Sequence, residues 1–543
     1  MLTHAVLVNI LTDKLQKNLQ TLKKALPAED ILSYAFTTAD GTACALLYAD
    51  GMVNKQLLGD LIARPLSKLS LRSAQQSDGN SAQQSYGKTS GKNGSANNET
   101  AQQNGKTSGG DKQTDNPIVT IIERSALFPE LKRKQKIADM VKEVLDGNTL
   151  LLIDGVAEGF IVGAKFLPVR AVIEPPTDVA VKGPREGFIE DVKTNMALVR
   201  KRLKTPDLRF ESLRVGKRSD TMVSVCYLEG TANAEVKDEI LRRLNEIEID
   251  NVPDSSYIAA LLSPRKHSLF HSVGTTEKPD IFAAKLSEGR VGILVDGSPI
   301  ALTLPFLLTE NLQSSEDYFI SPFTATIFRF LRLISLFIAI LLPAFYVSAQ
   351  LFKMQLLPLG LMLTIASSVR ELPLSPSLEM FVVLLLLEVL KEASIRMPKY
   401  VGMSLSVVGA LVLGETAVSA GFLSTPAIII VAFSGICLYT IPNFVETGSV
   451  LRWLFLLVAG SLGSLGIVLL SAFLIVYLLT SDAFGAPLLA PFSPLVPRDL
   501  RDTIVKYDML SLRYRPKTLR SDNVTRLRKK TAKGEAQKGQ SSE

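Results

Sequence analysis

Cysteine and histidine are scarce, three of each in 543 residues. Cys44, Cys226 and Cys437 lie far apart, so no disulfide framework is readable, which fits a reducing compartment. Cys437 sits inside an apolar run and reads as a small buried hydrophobe. His4, His267 and His271 have no Cys or His partner at metal-ligand spacing, and Pro264 with its serine-rich surroundings places the last two in a loop. A nucleophile elbow and a dinucleotide fingerprint are also missing. Gly-Lys-Thr occurs at 87–89 and 105–107, but the glycine that a phosphate loop needs five residues earlier is Ala82 in one copy and Thr100 in the other. Nothing argues for an enzyme, and no metal, cofactor or nucleic acid is expected. The opening residues lack a basic n-region and a small-residue cleavage site. Leu11, Leu15, Leu19, Leu22 and Leu26 make that segment an amphipathic helix, with a cytoplasmic N-terminus expected.

The largest absence is local. Residues 333–351 carry no charge, nor do 416–444, and about 20 apolar residues suffice to cross a bilayer. The organisation expected is an N-terminal α/β region of two subdomains followed by an α-helical polytopic membrane domain. The first subdomain covers 1–72: the run 43–49 is a strand, Asp50-Gly51 a turn and 52–66 a short helix. Residues 73–116 change to Ser, Gly, Gln, Asn and Lys, the composition of a disordered linker. The second subdomain covers 117–327, with strand candidates at 118–122, 149–153, 223–228 and 291–295. Asp296-Gly297 between 291–295 and 300–304 signals a hairpin. Phe188, Val192, Met196, Val199 and Leu203 line one helix face, with acidic residues at its start and basic ones at its end. Val236, Ile240, Leu244 and Ile247 mark another.

The membrane domain is expected over 328–482, and a basic cytoplasmic tail over 483–543. After 333–351 comes a doubtful stretch, 354–369, then a helix over 374–397. Residues 401–444 divide into two helices turning near 421–425, and the last run is 453–480. Gly460, Gly463 and Gly466 in that run permit either close packing or a bend. After Arg498 the chain holds twelve Lys or Arg against six Asp or Glu, which places the tail inside and makes the number of spans even, four or six. That tail also suits anionic lipid headgroups. Glu388, Glu392 and Arg396 fall at i, i+4 and i+8 on one face. With Glu415, the two glutamates either line a polar path through the membrane or simply mark helix ends in water.

Several long stretches resemble one family. EPPTDVAVKGPREGFIEDVKTNMALVRKRL (174–203), TEKPDIFAAKLSEGRVGILVDGSPIALTLP (276–305) and SSEDYF (314–319) carry the likeness in the soluble part, with LLYADGMVNKQLLGDLIARPL (46–66). In the membrane part PAFYVSAQ, LEVLKEASIRMPK and VGALVLGETAVSAGFLSTPAIIIVA do so. The chain resembles the A subunit of bacterial spore nutrient germinant receptors, the GerA family, over roughly residues 40–515. The resemblance implies a multi-pass protein of the spore inner membrane that works with a permease-like B subunit and a lipoprotein C subunit. It implies a homo-oligomer that conducts ions and triggers germination. An accessory spore membrane protein and a non-conducting scaffold are the other readings. Within 174–203, Glu174, Arg185, Glu186, Asn195 and Arg200 are candidates for subunit contact or coupling, or else hold the subdomain together.

Overall fold

A computed structural model describes residues 10–69, 131–166, 182–265, 268–353, 355, 358–369, 372–396, 401, 407–409 and 411–526. His4, His267, the 118–122 strand, Glu174 and the 73–116 linker lie outside the described residues. Two five-stranded antiparallel sheets precede a helix bundle.

The first sheet has the order β1-β2-β4-β5-β3, from Ile31–Thr37 (β1), Ala43–Ala49 (β2), Leu131–Lys134 (β3), Thr149–Ile153 (β4) and Gly159–Val162 (β5). Successive residues of a strand face opposite sides, and β2 uses both. Ala45 and Leu47 pack with the helices Leu15–Ala25 (α1) and Ile137–Leu145 (α2). Cys44 and Leu46 pack with Leu58, Ile62 and Leu66 from the helical turns over 55–68. This sheet corrects the expected boundary at 72. Leu46 of β2 stands opposite Leu151 of β4, so the first folding unit closes only after β5, and 73–116 is an insertion within it.

The second sheet has the order β6-β7-β9-β10-β8, from Leu208–Val215 (β6), Thr221–Leu228 (β7), Gly274–Thr276 (β8), Val291–Val295 (β9) and Ala301–Leu304 (β10). The Asp296-Gly297 turn joins β9 to β10 as expected, with Ile293 opposite Leu302. Val192–Arg202 (α3) begins later than the apolar stripe implied, because the Asp191 side chain accepts the Thr194 N–H at 2.8 Å and caps it there. Phe188 still joins Val192, Met196 and Val199 in the core. Ala234–Asn245 (α4), Ser255–Leu262 (α5) and Pro279–Glu288 (α6) complete this unit.

The bundle holds Pro322–Phe352 (α7), Leu359–Val369 (α8), Pro376–Arg396 (α9), Thr425–Tyr439 (α10) and Val445–Leu479 (α11). The last is two antiparallel legs rather than one helix. Gly463 has φ 63° and ψ −144°, a conformation open to glycine alone, and the chain reverses there. Both ends of α11 consequently reach one loop of the soluble unit: Thr447 Oγ1 donates to Leu269 O at 2.6 Å, and Tyr477 Oη to Ser268 Oγ at 3.1 Å. The tip at Gly463 rests on the Phe352 ring at the far end of α7. Residues 453–480 therefore do not form the single span expected; their two halves run in opposite directions.

The other directions follow from contacts. Ser377 lies against Gly460 near the tip and Lys391 Nζ is 3.3 Å from Ser449 Oγ near the base, so α9 descends. Ser424 meets Glu379 and Gly435 meets Leu387, so α10 descends beside it. Gly409 sits on Leu390, and the described part of 401–419 climbs between the two. The doubtful stretch, now α8, starts and ends at the tip end of the bundle and does not traverse it. Large apolar residues such as Phe323, Ile429, Leu465 and Phe473 face outward.

The stretch expected as a basic tail packs against the soluble part. Up to Arg526 it folds back on the second sheet unit: Arg515 Nε donates to Ser287 O at 2.7 Å and Ser521 Oγ to Thr231 O at 2.6 Å. A protease site engineered into 81–100 tests the first sheet. After cleavage the two pieces are expected to co-elute in gel filtration because β2 remains bonded to β4; separation without denaturant would rule out that pairing.

Candidate functional site

Three sets of buried charges connect the parts of this chain. The first joins the two sheet units. Arg200, near the end of α3, is 1% exposed. Its Nε and Nη2 donate to the two Asp30 carboxylate oxygens at 2.9 and 2.7 Å, and its remaining donors reach Thr205 O and Leu208 O. A two-pronged guanidinium pair of this kind fixes orientation as well as distance. Of the other residues expected to act in 174–203, Asn195 holds Ile189 through both its main-chain N–H and its carbonyl, so it shapes the approach to α3. Glu186 pairs with Lys201 and Arg202 at 2.6 and 2.8 Å. Burial alone would raise its carboxyl pKa, but those two cations hold it below the ordinary value. Arg185 is exposed. The helix thus works first as a clamp between the sheets.

The second set fastens the soluble part to the bundle. Asp317, fully buried, accepts Arg329 Nε at 2.9 Å and both Arg332 Nη groups at 2.9 Å. Arg329 Nη1 also donates to Asp502 O at 2.7 Å and Asp502 Oδ1 at 3.1 Å. Tyr318 Oη donates to Asp502 Oδ2 at 3.2 Å, and Lys506 Nζ stands 3.8 Å from the Tyr318 ring centroid. One knot therefore contains the end of the soluble unit, the first turns of α7 and the returning tail. In the sequence Arg329 and Arg332 do no more than precede the charge-free run 333–351. Asp502, the partner of Arg329, lies 173 residues from it, beyond any local signal.

The third set crosses the bundle. Arg452 of α11 is 1% exposed; its Nη2 donates to Glu388 Oε1 at 2.8 Å and its Nη1 to Ser434 Oγ at 3.2 Å. Lys391 Nζ lies 2.6 Å from Glu388 Oε2. Glu388 thus links α9 to α11. Glu392 is exposed and pairs one turn along with Arg396 at 2.5 Å, and Glu415 is exposed in the climbing stretch. No described contact joins the three glutamates of the expected polar path to each other. Arg452 went unread because it immediately precedes the last apolar run; a lone cation there, facing a glutamate on another helix, was the available signal.

Two α/β sheet units, clamped together by Arg200 and joined by buried charges to a bundle whose α7 is long and apolar enough to cross a membrane, define a two-part chain suited to membrane association. Residues 16–518 match the family described as Bacillus/Clostridium GerA spore germination protein, and the chain belongs to that family. It is 30% identical over 511 residues to spore germination protein B1 of Bacillus subtilis (strain 168), covering 92% of this chain and 96% of that one. Spore germination protein KA of the same organism is 32% identical over 416 residues, 76% of each chain. The uncharacterized membrane protein YfkQ, also from Bacillus subtilis, is 35% identical over 389 residues, 71% of this chain and 76% of that one. The crystal structure of the N-terminal domain of the A subunit of the Bacillus megaterium spore germinant receptor GerK3 matches at 27% identity with a TM-score of 0.39, covering 55% of this chain and 98% of that one.

Breaking the clamp is expected to be costly. Asp30→Ala should lower stability by about 3–5 kcal/mol because it strands a buried guanidinium, whereas Asp30→Leu with Arg200→Met should recover most of the loss. Urea unfolding followed by circular dichroism checks both. The Asp317 knot carries a pH signature. Burial alone would raise the Asp317 carboxyl, but Arg332 and Arg329 hold it below the ordinary value. A lowered folded-state pKa gives stability that is complete above the unfolded value of about 3.9 and is lost as pH falls through the folded one. Asp317→Asn is therefore expected to be less stable at neutral pH, yet to lose less than the parent chain between about pH 5 and pH 3 in thermal melts.

Proposed function

We propose that this chain is the membrane-embedded A subunit of a spore nutrient germinant receptor, oligomerising into an ion-conducting channel that opens when nutrient is sensed. In this reading it lies in the inner membrane of the spore and works with the permease-like B subunit and the lipoprotein C subunit. It catalyses no reaction. The observation that carries the reading is the Asp317–Arg329–Asp502 knot. Through it a displacement of the second sheet unit passes directly into the first turns of α7. Membership of the GerA spore germination family supports the receptor role.

The topology proposed has six crossings: α7, α9, the climbing 401–419 stretch, α10 and the two legs of α11. An even number puts both termini on the side of the soluble unit, in agreement with the basic tail, so that side is the cytoplasm. The outward apolar faces then meet lipid, and the Arg452–Glu388 pair turns inward, as ionisable groups at membrane depth do. A second reading, an accessory membrane protein outside any receptor, draws on the 35% identity to YfkQ, whose name carries no receptor role.

The full-length chain in liposomes, alone and with B and C subunits, decides between them. Potassium flux that appears only with the complete receptor and its nutrient, from a defined oligomer, is the expected outcome. Glu388→Gln, which leaves the Arg452 charge uncompensated, is expected to change that flux at normal protein levels. A complete, nutrient-bound receptor without flux would leave only the accessory or scaffold reading.

A further inference from the structure

Glu379 is a carboxylate in the interior of the bundle, 0% exposed. It forms no ion pair among the described residues. The cations Arg452 and Lys391 lie lower in the bundle and bind Glu388 instead. One oxygen of Glu379, Oε1, accepts the Ser424 N–H at 2.5 Å. Ser424 is the N-cap of α10, a helix of 15 residues, so this carboxyl oxygen faces a helix N-terminus. The other oxygen, Oε2, is buried with no hydrogen-bond partner among the described residues.

Its surroundings are unsatisfied too. The Tyr346 hydroxyl, on a side chain 7% exposed, lies beside Glu379 and Ser424, with Ser424 as its polar neighbour. One turn further along α7, Gln350 is 6% exposed, and neither its amide oxygen nor its nitrogen is bonded. A buried carboxyl oxygen left without a partner is costly, and unbonded buried amides add to that cost. Tyr346 beside Glu379, with the unbonded Gln350 one turn further along α7, gives a set of oxygen donors that lacks its centre.

The chemistry of that set is narrow. It offers hard oxygen donors: a carboxylate, a phenol hydroxyl and an amide carbonyl, which suit alkali and alkaline-earth cations and not soft metals. It carries a single negative charge. A divalent ion in this apolar interior would keep a net charge of one, whereas a monovalent cation is neutralised. We propose that Glu379, Tyr346 and Gln350 form a binding site for a monovalent cation, potassium or sodium, at the tip end of the bundle between α7, α9 and the start of α10. Occupation ties those three helices together. The site goes beyond conductance and stands on bundle geometry alone, so binding is measurable whether or not this chain conducts.

The molecule contains its own reporter. Trp453 is the sole tryptophan, and its ring packs edge-on against Phe381, two residues after Glu379, with centroids 4.6 Å apart. The full-length chain in detergent is titrated with potassium or sodium chloride against choline chloride at constant ionic strength, reading Trp453 fluorescence and the thermal midpoint. The expected result is a saturable fluorescence change or a raised midpoint with potassium or sodium and neither with choline. Glu379→Gln should abolish it, and Tyr346→Phe, the milder change, should weaken binding about fivefold. Glu392→Gln, exposed and remote from the cluster, should behave as the parent chain. The proposal falls if folded parent protein shows neither signal, if the response survives in Glu379→Gln, if calcium saturates it at lower concentration, or if it follows pH and ignores the cation, which would make Glu379 a proton site instead.

Discussion

Everything beyond the two sheets depends on a fully buried arginine. Removing a guanidinium from water costs several kcal/mol unless carboxylates and carbonyls replace the lost water. Arg329 meets that condition through its Nε and Nη1, with Asp317 on one side and Asp502 on the other. Those partners come from the end of the soluble unit and from the returning tail. Helix α7 therefore has a fixed azimuth and a fixed depth at its base instead of swinging on the short connection before Pro322. The legs of α11 are held in the same plane by the loop over 268–272, where Phe270 stacks near both Phe444 and Tyr477. The bundle is anchored at its base along one rim, and its interior pair Arg452–Glu388 keeps α9 and α11 in register above that rim.

The parts legible in the sequence are those governed by near neighbours. Asp296-Gly297 announced its hairpin, the acidic start and basic end of α3 announced that helix, and the turn near 421–425 fell where the glycine allowed it. The α/β character of both soluble parts followed from the same local alternation. What local signals did not reach was pairing over distance. The 43–49 run read as a strand, yet nothing near it names β4 as its partner about a hundred residues on, so the first unit seemed complete at 72. Arg200 stood out in its motif, but the Asp30 that gives it meaning is 170 residues away. Gly463 is the intermediate case. A glycine permits a reversal, and three in a row at spacing three permit packing; which of them turns the chain is set by the ring of Phe352 against it.

The candidate polar path illustrates the same limit from the other direction. Spacing put Glu388, Glu392 and Arg396 on one face, and Glu392 does bond Arg396. The face is wide enough, however, that Glu388 turns toward Arg452 while Glu392 stays outside. Charge spacing on one helix fixes an angular sector, and only the neighbouring helices decide which member of the sector is inside. That is also why Glu379, the third acidic residue on the same helix, was not among the candidates: its one bond is to a helix end, which is not conspicuous in a string of letters.

The insertion at 73–116 has a practical corollary. Its two ends belong to one sheet, whose strands on either side are hydrogen-bonded to each other. The entropy of closing such a segment rises only with the logarithm of its length, about 0.6 kcal/mol for each doubling. Relatives and engineers alike are therefore free to vary it widely without unseating the fold. A fluorescent protein or an affinity tag spliced there would travel with the first sheet and leave the clamp, the knot and the bundle untouched, giving a handle on the intact receptor that neither terminus provides.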